Sequence, residues 1–315
     1  MIRNGLPMSA QGAHGTVKRV VLSGFATLDY VMVTQASGDG ISGTCSGRIV
    51  ADGWPRAGGA ALYAARQIAA AGHFAAPIVT VGTDAHGIEY LRQCEQAGLA
   101  VEGIVQYRDA RTPVCVLAYH RDGNHTCLLD PGAGAQAALT ASQKGLLHMA
   151  EFVVIAAAAP ATTQSVLMEL HPQQRLAWIA KRDGHSFPDG LRKDLARRAD
   201  VIFCNRGERD LVDEFRTQES VARQTVVETR GADGALVEWP GGRELLPARP
   251  LDVLDATGAG DTLAGATLAR LVAGGTDPLD AVAHGIGAAH RMLQERTAIR
   301  GRDRTASIDA SGERP

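Results

Sequence analysis

The chain reads as an α/β protein with an open, mostly parallel sheet, helices on both faces and a small β-rich lid. Three observations predict this. Apolar, β-branched runs ("RVVLSG", "APIVTVG", "EFVVIA", "QTVVET") alternate with helix-like segments, and repeated strand–helix units imply parallel strands covered on both sides. Short, partly alternating segments break that rhythm between about residues 101 and 130, the pattern of a separate flap. A length of 315 residues with 45% hydrophobic content suffices for one large domain.

The elements follow in order. Residues 1–18 are rich in Gly, Ser and Asn and read as a loose tail without the apolar core of a signal peptide. "RVVLSGFATLDYVMV" reads as one buried strand continuing past Gly24. After a Gly/Ser-rich stretch, Ser37 to Gly47, the Gly58-Gly59 pair precedes an Ala-rich helix closing at Gly72. "APIVTVGTD" is a strand, and Asp84 suits the N-cap of "HGIEYLRQCEQAG", which ends at Gly98. "VEGIVQYRD", "TPVCVLAYH" and "HTCLLD" are short strands with a hairpin turn at Asp122-Gly123. Together with about 30–57 they are expected to form the lid, over 101–130. Alternation then resumes through "QRLAWIA", "ADVIFCN", "QTVVETRG" and "GALVEWP", with helical segments at Ser142–Ala150, Thr162–Leu170 and Gly207–Phe215. Helices Asp261–Ala273 and Pro278–Leu293 close a domain spanning 19–299, and 300–315 form a charged tail.

Composition excludes several classes. A formal net charge of −2 gives no global field for nucleic acid or an anionic membrane. The five cysteines form no C-x-x-C pair, so the expectation is reduced thiols in a cytoplasmic protein. No uninterrupted apolar run is long enough to span a bilayer. The histidines lack H-E-x-x-H spacing. Arg296, Arg300, Arg302 and Arg304 form a basic run whose default is solvated charge.

Chemistry concentrates in "DATGAGDTLAGA". A helix start leaves backbone amides without partners and carries partial positive charge, and glycines let a ligand approach the backbone. That is an anion cradle. A carboxylate beside it, Asp261, would repel a phosphate if binding were the only task; it makes sense as an acceptor of a proton from an attacking hydroxyl. Taken alone, the same element also reads as an ordinary helix cap.

The wider pattern resembles the ribokinase-like (PfkB) carbohydrate kinases. Asp255, Thr257, Gly258, Ala259, Gly260 and Asp261 stand in the positions of their Asp-Thr-x-Gly-Ala-Gly-Asp signature. Asn205-Arg206-Gly207-Glu208 is similar to their Asn-x-x-Glu element, Thr229 to Gly234 to their Thr-x-Gly-x-x-Gly turn, and Gly58-Gly59 to their first Gly-Gly signature. Asp29 resembles the acceptor-gripping acid after the first strand, and Gly82-Thr83-Asp84 with Gly87 a structural turn. The resemblance runs in order from about Val20 to Leu293.

It implies a ribokinase-like fold and ATP-dependent phosphoryl transfer to an alcohol. Asp261 would be the general base, and the amides of Gly258, Ala259, Gly260 and Asp261 the anion hole. Asn205, Thr229, Gly231 and Gly234 would bind ATP. Glu208 would place Mg²⁺, mostly through water. Asp29, Gly58, Gly59, Tyr63 and Lys181 would bind the acceptor, with Tyr63 able to stack on a sugar or base face. Lys181 and Arg182 are open to a phosphate on the acceptor or to solvent. The resemblance leaves activation by K⁺ open: the loop near Asp255 is present, but "QERTAIRG" after Leu293 departs from the common pattern. It likewise leaves open a homodimer through the lid. Ala60 and Tyr63 replace the Lys and Asn of the ribokinase pattern, which puts ribose itself in doubt. Free sugar or polyol, nucleoside and sugar phosphate stay open as acceptors, and so does a non-catalytic metabolite-binding protein. A dinucleotide-dependent oxidoreductase would want Gly-x-Gly-x-x-Gly after the first strand, where this chain has "SGFATLD".

Overall fold

The computed structural model describes residues 16–34, 44–50, 54–121, 125–135, 138–253 and 255–310. In chain order the elements begin with β1 (Arg19–Ser23), β2 (Thr27–Thr34), β3 (Gly47–Ile49), β4 (Arg56–Gly58), α1 (Ala60–Ala70), β5 (Phe74–Gly82) and α2 (Ala85–Gln96). Next are β6 (Ile104–Tyr107), β7 (Val114–Tyr119), β8 (His125–Asp130), α3 (Ala141–Met149), β9 (Phe152–Ile155), α4 (Pro160–Glu169), β10 (Arg175–Ile179) and α5 (Asp189–Arg198). The chain ends with β11 (Val201–Asn205), α6 (Arg209–Asp213), α7 (Gln218–Val221), β12 (Thr225–Thr229), β13 (Ala235–Trp239), β14 (Gly242–Leu246), α8 (Ala259–Ala273) and α9 (Pro278–Ala310).

Nine strands form one sheet in the order β14-β13-β12-β11-β10-β9-β1-β5-β6. From β12 to β6 every pairing is parallel, while β13 and β14 add an antiparallel hairpin at one edge. Parallel strands of this kind are buried on both faces. In β1, Val20 and Leu22 join one core layer with α1, α8 and α9, and Val21 joins the other with α3, α4 and α5. The chain leaves β1 first toward β5 and later returns on its other side to β9, so the order reverses beside β1, the place where open α/β sheets bind ligands at their carboxyl ends.

The second sheet, β3-β2-β7-β8 with β4 on β2, is the lid. Three boundaries differ from expectation. β6 pairs with β5 in the large sheet rather than in the lid, because its parallel register continues the strand–helix rhythm. The first apolar run is two strands in two sheets: the Phe25 amide donates to the Ala157 carbonyl at 2.7 Å, and the chain turns there to enter the lid. α9 runs on to Ala310, so 300–310 continue a helix instead of forming a tail. Strands β7 and β8 pair antiparallel as a hairpin requires; its turn at Asp122-Gly123, most of Ser37–Gly47, residues 1–15 and residues 311–315 lie outside the described residues. Asp84 caps α2, its Oδ1 accepting the Gly87 amide at 2.9 Å. Among the described residues no helix is long and apolar enough to cross a membrane.

α8 is the central helix of its layer, and its depth depends on small residues. A Cβ on Gly265 would stand 2.4 Å from the Ala64 carbonyl oxygen of α1, so the two helices touch backbone to backbone. Gly265→Ala is expected to cost about 1–3 kcal/mol by overpacking. Gly145→Ala in α3, where an added Cβ meets nothing within 4 Å, should be neutral or gain up to about 1 kcal/mol. Denaturant unfolding of the two variants checks the contrast.

Candidate active site

α8 starts on Gly258, whose φ of 75° is left-handed, a backbone state that costs glycine little. The turn sends the Ala259 amide back to the Ala256 carbonyl at 3.0 Å. Ala259 therefore does not belong to the expected donor set. The amides of Gly258, Gly260 and Asp261 have no acceptor among the described residues and form the cradle at the positive end of a 15-residue helix.

Asp261 sits in the first turn of α8, 7% exposed. Its Oδ1 receives no hydrogen bond among the described residues. Lys181 Nζ stands 3.5 Å from it, projecting from the residue after Ala180 at the carboxyl end of β10. Asp261 raises the pKa of the Lys181 ammonium, with burial acting against it. Lys181 thus meets the expected base itself. Arg182 turns the other way: its Nε donates to the Gly207 carbonyl at 2.7 Å and its Nη2 pairs with Asp210, so it leaves the acceptor side.

Glu208 is buried. Its Oε2 accepts the Asn205 amide at 2.8 Å and its Oε1 the Arg182 amide at 3.3 Å. Each oxygen keeps acceptor capacity for water, and the carboxylate ties the ends of β10 and β11 together. Asn205 and Thr229 are register partners on β11 and β12, and Gly231 and Gly234 both have positive φ in the turn that follows. The four expected ATP residues therefore share one side of the carboxyl edge.

On the other side lies Asp29 of β2. Thr27 Oγ1 donates to its Oδ1 at 2.7 Å and the Tyr63 hydroxyl reaches its Oδ2 at 3.5 Å. The glycine pair explains itself here. A Cβ on Gly58 would stand 2.1 Å from Asp29 Oδ2, and Gly59, at φ 92°, would put one 2.1 Å from the Phe25 carbonyl oxygen. Burial pushes the Asp29 carboxyl up to about 6, with the bond from Thr27 and the charge of Arg56 working against it.

Tyr63 is not the open stacking platform expected. A Cβ on Gly258 would lie 2.7 Å from its ring, so the ring lies flush against the cradle, and the Arg296 guanidinium stands 5.9 Å from the ring centroid. Burial and Asp29 push its hydroxyl up to about 12. Sequence reasoning missed two arginines. Arg56, register partner of Asp29 across β2 and β4, holds Asp255 Oδ2 at 3.0 Å. Arg296, read as solvated, is 9% exposed. It stands seven residues after Ala289, itself seven after Val282, both buried in the core, and that spacing on one helix face was the available signal. A cavity of about 500 Å³ also opens at the opposite, amino edge, between Lys18, Glu151 and Arg175; it contains none of the motif residues.

The profile described as pfkB family carbohydrate kinase matches residues 21–304. The chain belongs to that family. An ATP-dependent ribose-1-phosphate kinase of Halopiger xanaduensis is 26% identical over 223 residues, covering 69% of this chain and 74% of the relative. A cytidine kinase of Thermococcus kodakarensis is 27% identical over 231 residues, 67% of this chain and 79% of the relative. The solved Burkholderia thailandensis nucleoside kinase, in complex with inosine, superposes with a TM-score of 0.72 at 22% identity, over 86% of this chain and 89% of that one. The kinase shares that fold.

Asp29 supplies a pH test. Its folded pKa of about 6 exceeds the ordinary 3.8, so the stability held while it is protonated is lost as pH rises from about 4 through about 6. Asp29→Asn should flatten the fall in unfolding temperature between those pH values. Thermal unfolding across that range checks it, and an unchanged slope would mean that Asp29 does not carry the shift.

Proposed function

We propose that this kinase transfers the γ-phosphate of ATP to an alcohol group of a sugar or sugar-containing acceptor, with Asp261 as general base. The carrying observation is the buried Asp261 Oδ1, which receives no hydrogen bond among the described residues, beside the amides of Gly258, Gly260 and Asp261, which have no acceptor among them. The acceptor hydroxyl gives its proton to Asp261 while its oxygen bonds to the γ-phosphorus. The bond from that phosphorus to the bridging oxygen breaks, and ADP leaves. The cradle amides offset charge on the moving group's equatorial oxygens.

The other assignments follow the geometry. Asn205, Thr229, Gly231 and Gly234 take the nucleotide. Asp29, when ionised, accepts hydrogen bonds from acceptor hydroxyls, with Gly58 and Gly59 clearing its space and Tyr63 orienting it. Lys181 keeps positive charge beside the base and is 41% exposed along its side chain; that exposure favours a phosphorylated sugar as the second reading. The names of the relatives, a ribose-1-phosphate kinase and a cytidine kinase, support a ribose-containing acceptor.

Mg²⁺ suits the donor set in water-mediated form. Glu208 has acceptor capacity left, and among the described residues no three His, Cys, Asp or Glu side chains converge into a closed cage. When bound, the ion supplies positive charge against the phosphates. The lid excludes water from the transfer. Its edge strand β8 exposes Leu128 and Leu129, which supports a homodimer through the lid. Five free cysteines suit a reducing cytoplasm.

Asp261→Asn should retain ATP binding and lose about 10² or more in kcat. Calorimetry with ATP and a turnover assay check the pair; near-normal turnover would remove Asp261 from the chemistry. An ATP-consumption screen over sugars, polyols, nucleosides and sugar phosphates identifies the acceptor, and sugar-containing compounds are expected to give the signal.

A further inference from the structure

The cradle depends on the loop that precedes it, and that loop is built around a buried carboxylate. Asp255 is 3% exposed. Its Oδ1 accepts the Thr257 amide at 2.9 Å. Its Oδ2 faces two guanidinium groups, Arg56 Nη2 at 3.0 Å and Arg296 Nη1 at 3.7 Å. The same Arg296 nitrogen donates to the Thr257 carbonyl at 2.5 Å. Burial pushes the Asp255 carboxyl up, but Arg56, the Thr257 bonds and Arg296 outweigh it and hold the group below its usual value.

A carboxylate and a backbone carbonyl turned toward one point are an oxygen donor set of the kind that binds a hard cation. In this chain that point already carries positive charge, and the charge is covalently part of α9. A metal ion brought to the same oxygens would sit within a few ångströms of a guanidinium in partly buried surroundings, where like charges repel strongly. The K⁺ left open by the family resemblance therefore does not fit the residues present.

We infer that Arg296 is a positioning residue: a built-in cation that holds Asp255 and the Thr257 carbonyl in place and so shapes the cradle, making the kinase independent of monovalent metal ions. It touches neither reacting group. It acts through Thr257, the residue before the left-handed Gly258, and Thr257 is tied to the lid as well by a 2.7 Å hydrogen bond between its hydroxyl and that of Tyr119. The kinetic consequence rests on the phosphotransferase reading; the role of the charge in the folded loop does not.

The test uses the full chain in potassium, sodium and tetramethylammonium chloride at equal ionic strength. Wild-type unfolding temperature should be the same in all three salts, and turnover should agree within about twofold, well below the effect of losing a charge-assisted bond. Arg296→Gln should lose about tenfold or more in kcat with little change in KM for ATP. Added guanidinium or K⁺ should then raise both its kcat and its unfolding temperature, whereas Arg296→Lys should retain part of the rate without rescue. Selective stabilisation of the wild type by K⁺ would overturn the inference, and so would wild-type kcat in Arg296→Gln. If no acceptor supports turnover, the phosphotransferase reading fails while the unfolding measurements still decide the role of the charge.

Discussion

Everything at the carboxyl edge of this sheet depends on one backbone state, the left-handed turn at Gly258. A side chain there would be strained by the dihedral and would collide with the Tyr63 ring. Because the turn is made, the Ala259 amide closes onto Ala256 while those of Gly260 and Asp261 keep no acceptor among the described residues, and Asp261 emerges beside them in the first turn of α8. The amides of the helix start attract negative charge while the acid beside them repels it, so the two features pull in opposite directions on a bound anion.

That turn has little support of its own and is held from several directions. Tyr63 of α1 lies against it, Arg56 reaches Asp255 from the lid, Arg296 reaches Thr257 from α9, and Tyr119 reaches Thr257 from lid strand β7. The lid and the cradle are therefore mechanically one unit. Asp29 belongs to the same unit, since its register partner is Arg56 and its hydroxyl neighbour is Tyr63. Displacement of the lid strands would be felt at Asp29 and at the start of α8 together.

The family signatures were legible because each is a short run of glycines and polar residues beside an apolar run. Gly59 and Gly258 take a positive φ, and Gly58 leaves room for Asp29 of a neighbouring strand. Donor assignment was less legible. Ala259 shares the signature with its neighbours, but the closure of the turn onto Ala256 consumes its amide. Charge was hardest to place. Arg56 and Asp255 are 199 positions apart and Arg296 and Thr257 are 39 apart, so neither partner can be read from composition nearby, and the spacing of Arg296 on its helix face marks its burial alone. Arg296 looked like one of several solvated arginines until its helix was packed.

Taken alone, the sequence determined the layered sheet, the lid, the glycine-built turns and the place of Asp261 at a helix start, because hydrophobic period, turn chemistry and helix-start physics act over a few residues. Only the tertiary structure decided which side chains neutralise Asp255, that Tyr63 is a packed support instead of an open platform, that Lys181 pairs with Asp261, and that β6 belongs to the large sheet. Those outcomes depend on burial and on distances between elements remote in the chain. Such distances exist only once the sheet has assembled.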